Sequence, residues 1–216
     1  MTTDEQGPAG ASSEAEPVRR AGKSIIAFAG RNGCGKGTAA EYSASLLMAP
    51  KHTYSDVLYD IHGVCGIERA ATGRPTLQEL SSFVREWFGQ DCLARVMAKK
   101  CDDSAAAYVV IDGVRRMEDI AVLQAQYGDR FFLVWIEASA DNRYDRLKAR
   151  KEKRGESMMS REEFDVQEKA ESEVQLDLVR QACRTTIDND GPPEALAPQA
   201  DALIAAINDF GPVAHG

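Results

Sequence analysis

The sequence predicts an α/β fold: a doubly wound, mostly parallel sheet of five strands, with helices on both faces and a helical lid. Three observations carry that prediction. A short apolar run at residues 24–29 leads through a glycine-rich stretch into a helical pattern at 39–48. Two further runs, at 107–113 and 131–137, are almost continuously apolar, as strands covered on both faces of a parallel sheet are. Helical patterns separate these runs, which is the alternation that parallel strands require.

The first strand and helix are joined by Gly30-Arg31-Asn32-Gly33-Cys34-Gly35-Lys36-Gly37-Thr38. Strand, glycine loop and helix together are the setting of a phosphate-binding loop. The glycines let successive backbone N–H groups turn inward, and the helix N-terminus adds partial positive charge. Lys36 is placed to reach the outer phosphates. The hydroxyl expected directly after the lysine is replaced by Gly37 and arrives at Thr38. Gly30, Asn32, Gly33, Cys34, Gly35, Lys36, Gly37 and Thr38 are therefore the candidate nucleotide contacts. Cys34 is either an acidified thiol beside Lys36 or a small side chain that fits.

With 216 residues, 44% of them hydrophobic, the chain is long enough for one domain. That domain is expected at residues 23–210, between a disordered tail at 1–22 and a short tail at 211–216. The formal net charge of -8 argues against nucleic acid as a partner. The five cysteines include no Cys-x-x-Cys pair, so neither a disulfide framework nor a zinc site is expected. No apolar stretch approaches the ~20 residues of a membrane helix. Residues 1–22 lack the apolar core of a signal peptide. A cytoplasmic protein without a membrane partner is expected.

The remaining elements follow in order. Pro50 ends the first helix, and residues 51–54 form a short strand. Ser55-Asp56 reads as the cap of the next helix. Asp56 also follows the C-terminal end of a strand, where open α/β sheets bind ligands, so cap and ligand contact are both open to it. Residues 62–75 read as loop. Thr76 and Glu79 form a capping box for a helix whose apolar face comprises Leu77, Leu80, Phe83, Val84, Trp87 and Phe88. Trp87 reads as core. Arg85 lies off most of that face and is either a cleft residue or a solvated charge.

Asp112 closes the clearest strand on a glycine turn. It is placed to hold magnesium through water, or to cap a turn. Arg115 and Arg116 follow. Residues 141–154 form a strongly basic helix in an acidic chain. Arg146 and Arg150 share one face of it, fit to grip phosphate oxygens. Ser160 and Glu163 form a second capping box, opening one long polar helix to about Cys183. Its thin apolar face suits a lid at 141–180 that closes over a cleft. Residues 185–188 are a last strand, 189–193 a turn, and 196–210 the closing helix.

With these residues in view, the chain resembles the P-loop nucleotide kinases, which include adenylate kinase, the phage-type deoxynucleoside monophosphate kinases and dephospho-coenzyme A kinase. Gly33 to Thr38 looks like their Gly-x-Gly-Lys-Gly-Thr loop, in which the hydroxyl commonly follows a glycine. Asp112-Gly113-Val114-Arg115 is similar to their Asp-Gly-x-Pro-Arg segment, with Val114 in place of proline. Arg146 and Arg150 fall in an Arg-Leu-x-x-Arg-like lid helix, and Asn189 in the loop that lies near adenine. The resemblance implies a three-layer P-loop NTPase fold that uses ATP and Mg2+. It implies metal contacts at Asp112 and Thr38, and catalytic roles for Lys36, Arg115, Arg146 and Arg150. It implies transfer to a small nucleotide acceptor held by residues 55–105, with Arg85, Arg115 and Asp56 as substrate contacts. A (deoxy)nucleoside monophosphate is the leading acceptor. In the alternative, a dephospho-coenzyme A kinase, Asp56 would be the general base for a ribose hydroxyl. A nucleotide-binding switch that transfers nothing is the alternative from another class.

Overall fold

Ser24–Ala29 (β1) is the hub of the sheet. It pairs in parallel with Tyr108–Val114 (β3) on one side and Phe131–Glu137 (β4) on the other. Lys51–Thr53 (β2) extends the β3 side and Thr185–Asp188 (β5) the β4 side, giving the all-parallel order β2-β3-β1-β4-β5. The structure, a computed structural model, describes residues 22–69, 72–149, 160–169 and 171–209. Apart from Gly22, the segments expected to be tails lie outside these residues, and so does Arg150.

Side chains of each inner strand alternate between two cores, because successive residues of a strand point to opposite faces. Ile25, Ala27 and Ala29 join Val109, Ile111, Leu133 and Trp135 in one core, and Ile26 and Phe28 join Val110, Val134 and Ile136 in the other. The second core is covered by Lys36–Leu46 (α1) and Leu196–Asp209 (α9). The first is covered by Tyr54–Val64 (α2), Arg74–Phe88 (α3), Cys92–Asp103 (α4), Met117–Tyr127 (α5) and Glu171–Ala182 (α8). Ala140–Ala149 (α6) and Arg161–Glu168 (α7) meet in a small cluster of Leu147, Phe164 and Tyr144.

Several local expectations are corrected. Thr53, not Ser55 or Asp56, caps α2: the Asp56 N–H donates to Thr53 Oγ1 over 3.1 Å. That helix runs on to Val64, into the stretch read as loop. Gly73 precedes α3, with proline in the first turn where its missing N–H costs nothing, so Thr76 lies inside the helix instead of capping it. α3 also presents a different face. Leu77, Val84 and Arg85 point inward, whereas Phe83, Trp87 and Phe88 are 52%, 70% and 64% exposed. The single long helix expected after Ser160 is two helices, α7 and α8. Its capping box forms as expected: Ser160 N–H donates to Glu163 Oε2, and Glu163 N–H donates to Ser160 Oγ. Among the described residues no helix is long and apolar enough to cross a membrane.

Candidate active site

The direction of winding changes at β1, with β2 and β3 on one side of it and β4 and β5 on the other. Such a switch point opens a crevice at the strands' C-terminal ends. The glycine loop fills that position. It is built by close approach as much as by turning. A Cβ on Gly33 would lie 2.6 Å from the Arg143 carbonyl oxygen, and one on Gly35 (φ +92°) would overlap Asn189 Nδ2. Gly30 and Cys34 pack under the loop, with Cys34 buried against the position of a Gly30 side chain.

Asn189 supports the loop from behind. Its Nδ2 donates to the Cys34 carbonyl over 2.8 Å, and its own carbonyl accepts from Arg146 Nη2 over 2.7 Å. The Asn189 side chain is thus turned to the loop backbone and is not among the residues lining the cleft described below.

In front of the loop lies a cleft of about 780 Å³. Asn32, Gly33, Gly35, Lys36, Gly37 and Thr38 form one wall. The opposite wall comes from Tyr54, Ser55 and Leu58 of α2, from Leu77, Gln78, Ser81, Ser82 and Arg85 of α3, and from Leu93 of α4. Asp112, Arg115, Arg116 and Asp119 lie between the walls, and Arg146 and Gln175 reach in from α6 and α8. A hollow of about 470 Å³ beside Tyr59 and Arg69 carries none of these groups.

The sequence therefore anticipated Lys36, Thr38, Arg85, Asp112, Arg115 and Arg146 as neighbours, and they share this cleft. Asp56 is a correction. It sits in the first turn of α2, outside the cleft lining, and its Oδ1 is 3.0 Å from Arg69 Nη1. Arg85 is neither solvated nor a bare cation. It is 4% exposed, its Nη2 donates to Asp119 Oδ1 over 3.0 Å, and its Nη1 donates to the Gln90 carbonyl. Tyr54, Arg116, Asp119 and Gln175 were missed. Arg116 was legible as a neighbour of Arg115. Asp119 and Gln175 carry no local signal, because the cleft gathers them from distant helices.

The cleft is short of hydrogen-bond partners. Eight buried side-chain atoms among the described residues lack one, and five belong to cleft residues: Tyr54 Oη, Arg85 Nε, Asp112 Oδ1, Arg146 Nη1 and Gln175 Oε1. Buried polar atoms are nearly always satisfied, so such a concentration marks a place where water or a ligand completes the bonding. Burial pushes the Tyr54 phenol well above its ordinary pKa. Burial also raises the Asp119 carboxyl, against the opposing pull of Arg85.

Asp112 fits a magnesium ion beside bound phosphates. Its Oδ1 is buried and unpartnered, and its Oδ2 would lie 3.3 Å from a Cβ on Gly37. The glycine after the lysine thus leaves room for the carboxylate to approach the loop. Among the described residues no group of three His, Cys, Asp or Glu side chains could hold a metal. A cation here would take its remaining ligands from water and phosphate, as Mg2+ commonly does.

The segment expected to form a lid is tied to its neighbours by charge. Arg143 forks onto Glu168 with bonds of 2.7 and 2.5 Å and donates from Nε to the Ala138 carbonyl. Arg31 of the loop donates to Asp177 Oδ1 of α8 over 2.7 Å. Arg143 Nη1 also donates to the Asn32 carbonyl over 3.4 Å, so α6 and α8 are both held against the loop.

No family model matches the chain. A solved sugar kinase from Janibacter sp. HTCC2649 is 16% identical, with 86% of this chain and 98% of that one covered at a TM-score of 0.54. The shikimate kinase from Acinetobacter baumannii, in complex with shikimate, is 16% identical, with coverage of 88% and 96% and a TM-score of 0.51. The fold is that of the P-loop kinases. In sequence, the chain is 28% identical over 169 residues to a UPF0200/UPF0201 protein of Archaeoglobus fulgidus. That match takes in 77% of this chain, which spans about half the length (50%) of that relative.

Proposed function

We propose that the chain is an ATP-dependent phosphotransferase that moves the γ-phosphoryl group to a nucleotide-like acceptor, foremost a (deoxy)nucleoside monophosphate. One observation carries the reading. The phosphate loop, with Lys36 and the orphaned Asp112 beside it, opens into a cleft that Arg115 and Arg116 also line and whose far wall carries Arg85. Phosphoryl transfer is mostly positioning and charge neutralisation, so these are the parts it requires.

In this reading the loop amides and Lys36 hold the β and γ phosphates. Thr38 and Asp112 hold magnesium, which when bound neutralises charge on the phosphate chain. Arg146, with an unpartnered Nη1, and Arg115 stabilise the phosphoryl group in flight. A lid held to the loop by Arg31 and Arg143 keeps out water, the competing acceptor. An acceptor that already bears a phosphate needs no base to remove a proton. A hydroxyl acceptor does, and Asp56, the base expected for it, is paired with Arg69 away from the cleft.

The test is ADP release with a panel of nucleoside and deoxynucleoside monophosphates, dephospho-coenzyme A, shikimate and hexoses. Turnover stimulated by a nucleoside monophosphate is the expected result. Nucleotide binding without acceptor-stimulated turnover would favour a switch. Lys36→Ala is expected to keep the fold and lose at least about 10²-fold in rate, the scale of removing one phosphate-stabilising group. A folded, fully active Lys36→Ala variant would overturn the proposal.

A further inference from the structure

The far wall of the cleft contains a polar arrangement that the transfer reaction does not by itself require. Arg85 and Asp119 form an ion pair that is 5% and 2% exposed at the side chains. They come from α3 and α5, and Asp119 is 34 residues from its partner. Burying such a pair carries a desolvation cost that the attraction offsets only when the remaining donors are also bonded. Here they are not. Arg85 Nη2 is held by Asp119 and Nη1 by the Gln90 carbonyl, but Nε is buried without a partner. Tyr54, on the same wall, has a buried hydroxyl that is also without a partner. Asp119 and Arg85 are both close enough to Tyr54 to influence its ionisation.

An unpaired N–H on a guanidinium fixed by two partners, with the unpaired Tyr54 hydroxyl, Arg115 and Arg116 in the same cleft, suits an oxygen-rich anion and not a neutral sugar. We infer that Tyr54 is a substrate-contacting residue and Asp119 a positioning residue of an acceptor subsite for a phosphomonoester. Asp119 and the Gln90 carbonyl fix the Arg85 fork, and Arg85 Nε and the Tyr54 hydroxyl bond the acceptor's own phosphate. The inference rests on the phosphotransferase reading above and adds to it the wall on which the acceptor is recognised.

The substitution Tyr54→Phe separates this role from a packing role. If the hydroxyl serves a ligand, its removal relieves an unpaired buried group and leaves the melting temperature of the free protein unchanged or a few degrees higher. The same change is then expected to raise the KM for a nucleoside monophosphate about tenfold, the loss of one good hydrogen bond, with the KM for ATP unchanged and kcat within about twofold. Asp119→Asn is expected to raise the same KM while leaving ATP binding intact. Arg85→Lys is not expected to restore it, because an ammonium cannot hold two fixed partners and a ligand in one plane.

Binding is read separately from turnover, as the thermal shift produced by AMP, GMP, dCMP and dTMP. A shift in the wild type that is lost in Tyr54→Phe supports the subsite even where no phosphoryl transfer occurs, a result that would sink the reaction alone. A Tyr54→Phe variant with lowered melting temperature and unaltered acceptor KM or thermal shift overturns the inference. So does a wild type that none of the four monophosphates shifts.

Discussion

Gly37 and Asp112 explain each other. The position after the loop lysine carries no side chain because a carboxylate stands there, 3.3 Å from where a Cβ would be. Gly37→Ala is therefore expected to fold as well as the wild type or slightly better, since alanine favours a helix over glycine by about 0.5–1 kcal/mol. Its transfer rate is expected to fall at least about tenfold as Asp112 is displaced, roughly the 1.4 kcal/mol that one such factor represents. A thermal melt and an ADP-release assay separate the two effects. Gly35→Ala is the contrasting case. With φ at +92° and Asn189 in the way, it is expected to lose about 1–3 kcal/mol, read as a lower denaturant midpoint.

The cysteines give a pH-dependent prediction. Burial pushes the Cys101 and Cys183 thiols up to about 12, whereas Cys65 is exposed. At pH 8 a thiol reagent should label Cys65 well before Cys101. The folded pKa lies above the unfolded value of ~8.5, so neutral thiols are favoured by folding. Their stabilising contribution is complete below pH ~8.5 and is lost as the pH rises towards 12. Urea midpoints from pH 8 to 11 should decline, and Cys101→Ala should reduce the slope of that decline. An unchanged slope would discount the thiol.

At the scale of elements, α3 shows how a helical pattern can mislead. Its aromatic residues outline an apolar face in sequence, yet Trp87 is 70% exposed and Arg85 only 4%. The Arg85–Asp119 pair and the burial of Leu77 and Val84 in the core go with this rotation, and α5, which supplies Asp119, is invisible from α3 alone. The lid helices were legible as charged segments but not as struts. Arg143, one of three basic residues on α6, is the one buried against Glu168 and stacked 5.5 Å from the Phe164 ring centre. Glu168→Gln is expected to destabilise by about 1–2 kcal/mol, between the values for an exposed and a fully buried pair. It should also raise the share of ATP lost to water, measured as ADP release without acceptor. Wild-type hydrolysis in that variant would remove Glu168 from the closure of the lid.

For the whole molecule, the order β2-β3-β1-β4-β5 places the loop and the ends of β3 and β4 at one edge. A ligand there joins α1, α5 and α6 and should stabilise the entire fold. Mg-ATP at about a hundred times its Kd should contribute about 2.7 kcal/mol by mass action, read as a thermal shift that Lys36→Ala abolishes. The strands, the glycine loop and the carboxylate near the C-terminal end of β3 were determined by the sequence itself. Each is a local pattern, an apolar run or a glycine spacing, whose cause lies within a few residues. The neighbours of each strand, the rotation of α3, the withdrawal of Asp56 to Arg69 and of Asn189 to the loop, and the pairing of Arg85 with Asp119 were decided only by tertiary structure. These depend on which distant groups bury together. The cost of an unpaired buried charge, which no stretch of sequence records, selects among the partners that a local pattern leaves open.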